Sequence, residues 1–334
     1  MTISPNASPA DECASDFGTG AAIEQAVELL DRGEVVAFPT ETVYGLGGDA
    51  RNPRAIERIY ALKGRPHNHP VIVHVARKAD LSQWARRVPG AARDLIERFW
   101  PGPLTLVLAR APGVLDAVTG GQDSVGLRCP AHPVAGALLG RLWERDPTSG
   151  LAAPSANRFG RTSATTAAHV RSEFGDSLFL LDGGPTAVGI ESTILDLSRM
   201  DTEGPVLLRP GAIDIEQLSE CLGILPRAPD AHAPRAPGGL AQHYAPRAKV
   251  RLVGSEDLSS VPAQVAVWSR SVAAPAGHEH WRTAPEDPGR YAHELYAVLR
   301  AFDDEGATEI WIEAPPKGVH WAAIGDRLAR AAAG

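Results

Sequence analysis

The chain reads as an α/β protein: a twisted mixed sheet with flanking helices, followed by a smaller Rossmann-like α/β domain. Three observations predict this. Short apolar runs alternate with amphipathic stretches over the first two thirds of the sequence. Several connections between those runs are too short for a helical crossover, so some strands must be antiparallel. From Leu225 to Lys249 a stretch punctuated by Pro226, Pro229, Pro234, Pro237 and Pro246 separates them from a second alternating set, and prolines stiffen such a linker.

Residues 1–20 hold Ser4, Pro5, Ser8, Pro9 and Asp11, with no basic segment leading into an apolar one. They are expected to form a disordered tail rather than a secretory signal. Ala21–Asp31 places Ile23, Ala26, Val27 and Leu30 on one face, the spacing of a helix that Gly33 ends. Val35–Phe38 predicts a buried strand and Pro39–Gly48 a hydroxyl-rich loop. Asn52-Pro53 supplies an N-cap and first-turn proline for a helix over Ala55–Leu62, which delivers Lys63 and Arg65 at its end.

Strands are expected at Val71–Val75, Leu104–Leu108, Val125–Arg128, Leu178–Leu181, Thr193–Leu197 and Val206–Leu208, with helices at Ala91–Phe99, Val134–Leu142 and Thr166–Phe174. Beyond the linker, strands at Val250–Val253, Val265–Trp268 and Ile310–Glu313 alternate with helices at Tyr291–Phe302 and Ala322–Ala332. The expected division is a domain over 21–212, a helix and linker over 213–248 and a small domain over 249–334. A length of 334 residues, at about 150 residues per domain, agrees with two domains.

The composition, 44% hydrophobic and 22% charged with no long apolar run, predicts a cytoplasmic protein without membrane contact. Cys13, Cys129 and Cys221 are isolated, which argues against a disulfide framework and a structural zinc site. A net charge of −7 disfavours a broad nucleic-acid-coating surface. P-loop, nucleophile-elbow and zinc-protease motifs are all absent from the sequence. His132, His169 and His243 have no metal-ligand spacing and are expected to be structural.

Four groups could carry chemistry. Lys63 and Arg65, with His67 and His69 nearby, suit a polyphosphate clamp of one point charge and one fork; cations after a helix also simply complement its dipole. The loop Pro39–Gly45 could bind a small polar substrate or satisfy its own backbone. Ala153–Asn157 could admit a ligand at a strand end, or be an ordinary turn. Gly126–Arg128, Glu191–Thr193 and Leu208–Gly211 put polar or cationic residues at strand ends, where an Arg meets a carboxylate, a phosphate or a surface ion pair.

Together PTETVYGLG (Pro39–Gly47), KGRPHNHPVIVHV (Lys63–Val75), GLRCP (Gly126–Pro130), APSAN (Ala153–Asn157), ESTI (Glu191–Ile194) and LRPG (Leu208–Gly211) resemble the YrdC-type threonylcarbamoyl-AMP synthases. APGGLAQHYAP (Ala236–Pro246) and the final helix resemble that family's longer, two-domain form. The resemblance implies a YrdC-like sheet and a nucleotidyltransferase joining L-threonine, bicarbonate or carbon dioxide, and ATP, with Mg²⁺, for tRNA threonylcarbamoyladenosine.

By resemblance, Lys63 and Arg65 are catalytic and hold the ATP phosphates, with His69, Ser124, Ser155, Asn157, Ser163, Arg209 and Tyr244 lining the nucleotide site. Thr40 or Thr42, His74, Arg128 and Ser192 would hold threonine. His243 and Tyr244 would form a linker lid. The chain departs from the family pattern at His69, where an Asn is usual, and at Gly239, Leu240 and Ala241, which replace bulkier residues. Expected partners are the downstream tRNA threonylcarbamoyl-transfer machinery and, weakly, RNA. The alternative is a non-catalytic double-stranded RNA-binding module of the same fold. Carbamoyl transfer in hydrogenase maturation is disfavoured by the absence of Cys-x-x-Cys zinc modules.

Overall fold

The computed structural model describes residues 20–239 and 243–333. The expected N-terminal tail up to residue 19 lies outside them, as do Leu240–Gln242 of the linker. The chain runs through α1 (Gly20–Asp31), β1 (Val36–Phe38), β2 (Gly45–Asp49), α2 (Pro53–Lys63), β3 (Ile72–His74), α3 (Gly90–Phe99), β4 (Leu104–Ala109) and α4 (Asp116–Thr119). It continues through β5 (Ser124–Arg128), α5 (Pro133–Arg145), β6 (Leu151–Ala152), α6 (Ala167–Phe174), β7 (Phe179–Leu180), β8 (Thr193–Asp196), α7 (Met200–Glu203), β9 (Val206–Arg209) and α8 (Ile215–Leu222). The last part holds β10 (Lys249–Val253), β11 (Ala266–Ser269), β12 (Trp281–Thr283), α9 (Pro288–Asp304), β13 (Glu309–Glu313) and α10 (Ala322–Ala331).

The first nine strands make one mixed sheet in the order β7-β1-β2-β6-β3-β5-β4-β8-β9. Parallel pairs β1/β7, β3/β5 and β4/β8 are interleaved with antiparallel ones, as the short connections require. Helix α1 packs Ile23, Ala26, Val27 and Leu30 with Leu138 and Leu139 of α5 over Val36 and Phe38. Helices α2 and α3 bury Ile56, Ile59 and Leu95 in a separate core with Leu104, Leu106 and Leu127. Each such side chain contributes roughly 1.5–3 kcal/mol over an exposed one.

One element differs from the sequence reading. Gly45–Asp49, inside the expected loop, is strand β2, pairing Val36 with Gly47 and Phe38 with Gly45 on β1. Its glycines argue against a strand by propensity. Here they are required by packing, because a Cβ on Gly47 would lie 2.7 Å from the Phe38 ring.

The second sheet, β10-β13-β11-β12, is entirely parallel. Strand β12 is an addition to the sequence reading of individual elements, as are the short β6, α4 and α7, whereas α8 is the helix expected within 213–248. The core around Tyr296, Leu299, Ile310 and Leu328 also includes Val43 and Ile190 from the first sheet's loops and Tyr244 from the linker. The two sheets therefore share buried apolar contacts.

Candidate active site

Helix α2 delivers the first cations. The Asn52 side chain caps it by accepting from Arg54 N at 3.0 Å, worth about 1 kcal/mol. Gly64 ends it in the left-handed region at φ 63°, which glycine adopts without a Cβ penalty. Lys63 and Arg65 thereby turn inward, 3% and 7% exposed. Lys63 Nζ donates to the carbonyls of Ser155 at 2.6 Å and Asn157 at 2.5 Å. Arg65 Nη2 donates to Pro70 O at 2.6 Å, and its guanidinium lies 5.8 Å from the Phe159 ring centre.

The loop after β6 runs beside β2 through Leu46 N to Pro154 O and Ala156 N to Tyr44 O. This pairing brings Ser155 against Gly45 and presents its carbonyl to Lys63. On the other side Arg209, at the end of β9, donates through Nε and Nη2 to Ser192 O and Oγ, and through Nη1 to Pro237 O of the linker. Gly211 comes so close to β8 that a Cβ would lie 2.3 Å from Thr193 N.

A pocket opens between these elements, lined by Thr40, Thr42, Arg65, His74, Arg128, Ser155, Ser192, Arg209, His243 and Tyr244 among the expected residues. Thr40 and Thr42 are joined hydroxyl to hydroxyl at 2.8 Å, and Thr40 also bonds Val43 O. Arg128 donates through Nε to Gly102 O and through Nη2 to Glu41 at 2.7 Å. Ser192 Oγ is 2.8 Å from Thr105 Oγ1.

Five expected residues are outside the pocket lining. Lys63 backs it from behind the Ser155 carbonyl. Asn157 ties the loop together by donating to Arg158 O and Arg161 O. Ser163 donates to Glu191 at 2.5 Å. Ser124 lies buried at the start of β5, opposite Ala109. His69 packs edge-on against Phe159, so the substitution of His for Asn there is accommodated by a ring contact.

Glu41, Glu191, Pro237 and Gly238 also line or support the site, yet the sequence reading assigns none of them a role. Glu41 and Glu191 occur inside recognised motifs, and a partner for the neighbouring Arg was the available signal. Glu191 is 6% exposed and accepts from Ser163, Tyr296 and Arg327. Burial pushes its carboxyl up, but Arg327 and Arg209 more than offset this and hold it down at about 2.

Charge accounting shows what the site can bind. Glu41 is paired by Arg128 and Glu191 by Arg327. Among the described residues Lys63, Arg65 and Arg209 have no carboxylate within 4.0 Å, although all three are buried. Burial, and then the neighbouring Arg65, push the Lys63 ammonium far below the ordinary lysine value. His74 and His243 are pushed down to about 3, chiefly by burial, and are neutral hydrogen-bonding groups near pH 7. Arg65 Nε, His74 Nδ1, His243 Nδ1 and the Tyr244 hydroxyl are buried without a protein partner, an arrangement a polar ligand would complete.

Pro237, Gly238, His243 and Tyr244 of the linker form part of the pocket lining. Rings run in sequence from His69 to Phe159, His243, Tyr244 and Tyr296. Tyr244 has φ 61°, the left-handed region, at 1% exposure. Such backbone costs about 1–3 kcal/mol, which the buried packing around Tyr244 must offset.

Comparisons with known proteins show the family to which the chain belongs. A family model described as telomere recombination, of the Sua5/YciO/YrdC type, matches residues 28–211, and one described as the C-terminal domain of threonylcarbamoyl-AMP synthase matches 213–333. The threonylcarbamoyl-AMP synthase of Bacillus subtilis is 39% identical over 330 residues, 93% of either chain. That of Pyrococcus abyssi is 43% identical over 237 residues, 69% of this chain and 67% of the relative. The crystal structure of P. abyssi Sua5 complexed with L-threonine superposes with a TM-score of 0.82 at 35% identity, over 93% of this chain and 94% of that one. The chain belongs to the Sua5/YciO/YrdC family of threonylcarbamoyl-AMP synthases, in the form that carries the C-terminal domain.

Proposed function

We propose that the pocket joins L-threonine, carbon dioxide or bicarbonate, and ATP into threonylcarbamoyl-adenylate and pyrophosphate, the first step of threonylcarbamoyladenosine formation on tRNA. The observation that carries this reading is the trio Lys63, Arg65 and Arg209, buried without carboxylates and converging beside a hydroxyl-rich pocket. Buried cations are costly unless an anion completes them, and a triphosphate supplies that charge.

Threonine fits the other wall. Arg128 would meet its carboxylate, while Thr40, Thr42, Ser192 and neutral His74 offer partners for its hydroxyl and amine. A site built to bond a hydroxyl rejects analogues lacking it. The threonine nitrogen attacks the carbon of carbon dioxide and loses a proton, giving a carbamate. A carbamate oxygen then attacks the α-phosphorus in line, and the bond to the β-phosphate bridging oxygen breaks as pyrophosphate leaves. Lys63, Arg65 and Arg209 offset the charge that builds on the leaving oxygens.

Among the described residues no three His, Cys, Asp or Glu side chains converge as a metal ion would require. The carboxylates nearest the pocket are already paired to arginines. These donors do not suit a resident ion; magnesium would enter as part of the substrate MgATP, held by phosphate oxygens and water. The linker excludes water from the labile mixed anhydride. No helix among the described residues is long and apolar enough to cross a membrane, and we place the reaction in the cytoplasm, where tRNA is the eventual acceptor.

The test is pyrophosphate release from ATP and bicarbonate with L-threonine, L-serine or L-valine, for the wild type and Lys63→Ala. Threonine-dependent release that the substitution abolishes is the expected result. No release under any condition overturns the reading.

A further inference from the structure

We propose that Arg327, on the last helix of the C-terminal domain, is a positioning residue for the substrate pocket, fixing Ser192 and Arg209 by holding the residues next to each, Glu191 and Pro210. The inference rests on the function proposed above and assigns part of it to the second domain.

Helix α10 buries Ile324, Leu328 and Ala331 along one face, the spacing of an apolar stripe. Arg327 lies in that stripe with no exposed surface. A charge so placed needs a full set of acceptors. Its Nε donates to Glu191 Oε2 at 2.8 Å, Nη2 to Glu191 O at 3.3 Å, and Nη1 to Pro210 O at 3.0 Å and Asp326 at 2.8 Å. Its guanidinium lies 5.2 Å from the ring centre of Tyr244 in the linker.

Both catalytic-domain anchors immediately precede or follow site residues. Ser192 follows Glu191, and its carbonyl and hydroxyl accept from Arg209, which precedes Pro210. One planar fork thus sets the spacing between the ends of β8 and β9, where the threonine and nucleotide walls meet. A lysine could supply the charge but not the geometry.

Tyr296 on α9 makes a narrower contribution. Its hydroxyl donates only to Glu191 Oε2, at 2.9 Å. The Tyr296 hydroxyl therefore bears on the Glu191–Ser192 side alone, while its ring, which Phe would keep, packs beside Tyr244; Arg327 bears on both walls. This difference separates positioning from mere domain attachment, because loss of attachment would disturb both substrates together.

The test measures KM for threonine and for ATP, kcat and melting temperature in the full-length chain. Tyr296→Phe keeps the packing volume and is expected to raise the threonine KM several-fold while leaving the ATP KM unchanged. Arg327→Met is expected to raise both by about tenfold or more, as loss of a charged hydrogen bond implies. Arg327→Lys is expected to recover threonine affinity in preference to ATP affinity. Arg282→Met, at the surface pair with Glu305, is the control for lost charge in this domain.

Folded Arg327→Met with both KM values at wild-type level overturns the inference while leaving the synthase reading intact. If Arg327→Met does not fold, Tyr296→Phe decides: an unchanged threonine KM, or equal changes for both substrates, overturns it. A wild type that releases no threonine-dependent pyrophosphate defeats the synthase reading instead.

Discussion

Arg209 Nη1 donates to the carbonyl of Pro237 at 3.0 Å. The same guanidinium holds Ser192 through its other nitrogens. A phosphate that engages Arg209 must compete with the Pro237 carbonyl for that corner of the fork. On the proposed function, nucleotide entry and linker release are expected to be coupled, because the Pro237 carbonyl is a neutral acceptor where an anion would bind Arg209 more strongly.

Gly238 tests this coupling. It has φ 81°, and a Cβ there would lie 2.0 Å from the Tyr244 hydroxyl and 3.4 Å from Arg209 Nη1. Gly238→Ala is expected to hold the linker away from the pocket. The lifetime of enzyme-bound threonylcarbamoyl-adenylate, followed by chromatography, should then shorten several-fold, and the melting temperature should fall modestly from the strain of a Cβ at φ 81°. An unchanged lifetime would remove the linker from the role of water barrier.

Lys63 gives a pH prediction. Burial and Arg65 depress its folded-state pKa below the ordinary 10.5, so the free protein loses the ammonium as pH rises through that lowered value. Phosphate favours the protonated form, and ATP binding is expected to take up a proton above that lowered value. kcat/KM for ATP should decline on the alkaline side below the ordinary lysine value. Calorimetric titration of ATP across the pH range below the ordinary lysine value, in buffers of different ionisation enthalpy, measures the uptake; none at any pH in that range would contradict it.

The fold class was legible because apolar runs and caps repeat in order along the chain. Asn52-Pro53 and Gly64 marked the ends of α2, and the short connections marked the sheet as mixed. Strand β2 was not legible: Gly45, Gly47 and Gly48 read as a loop until Phe38 is seen to need the space beside the first two, and Ala55 and Ile59 of α2 the space beside the third. The cations of the site were visible as motif residues. Their partners were not, since Glu191 meets Arg327 across 136 positions and Arg128 meets Glu41 across 87. Periodicity carries no information about such contacts.

Arg128 tests the threonine wall. With Nε on Gly102 O and Nη2 on Glu41, its planar fork is fixed before substrate arrives. Arg128→Lys keeps the charge but loses this geometry. The KM for threonine is expected to rise about 10–100-fold, the equivalent of a charged hydrogen bond, with little change in the KM for ATP. Steady-state kinetics with each substrate varied in turn would show this. Equal effects on both substrates would place Arg128 in the general framework instead.

Glu191 links the site to acid stability. Its folded-state value of about 2, against an ordinary 4.5, means that the folded chain favours the carboxylate. The stabilisation is present above the unfolded value and is lost as pH falls from about 4.5 toward 2. The gap corresponds to roughly 3 kcal/mol. Glu191→Gln is expected to be less stable than wild type near pH 6, because buried Arg327 keeps only Asp326 as a counter-charge. That difference should shrink as pH falls below about 4.5 toward 2, where the folded wild type protonates the same carboxyl. Urea unfolding midpoints at stepped pH measure both curves. Parallel curves would mean that the Arg327 pair is not what keeps Glu191 ionised.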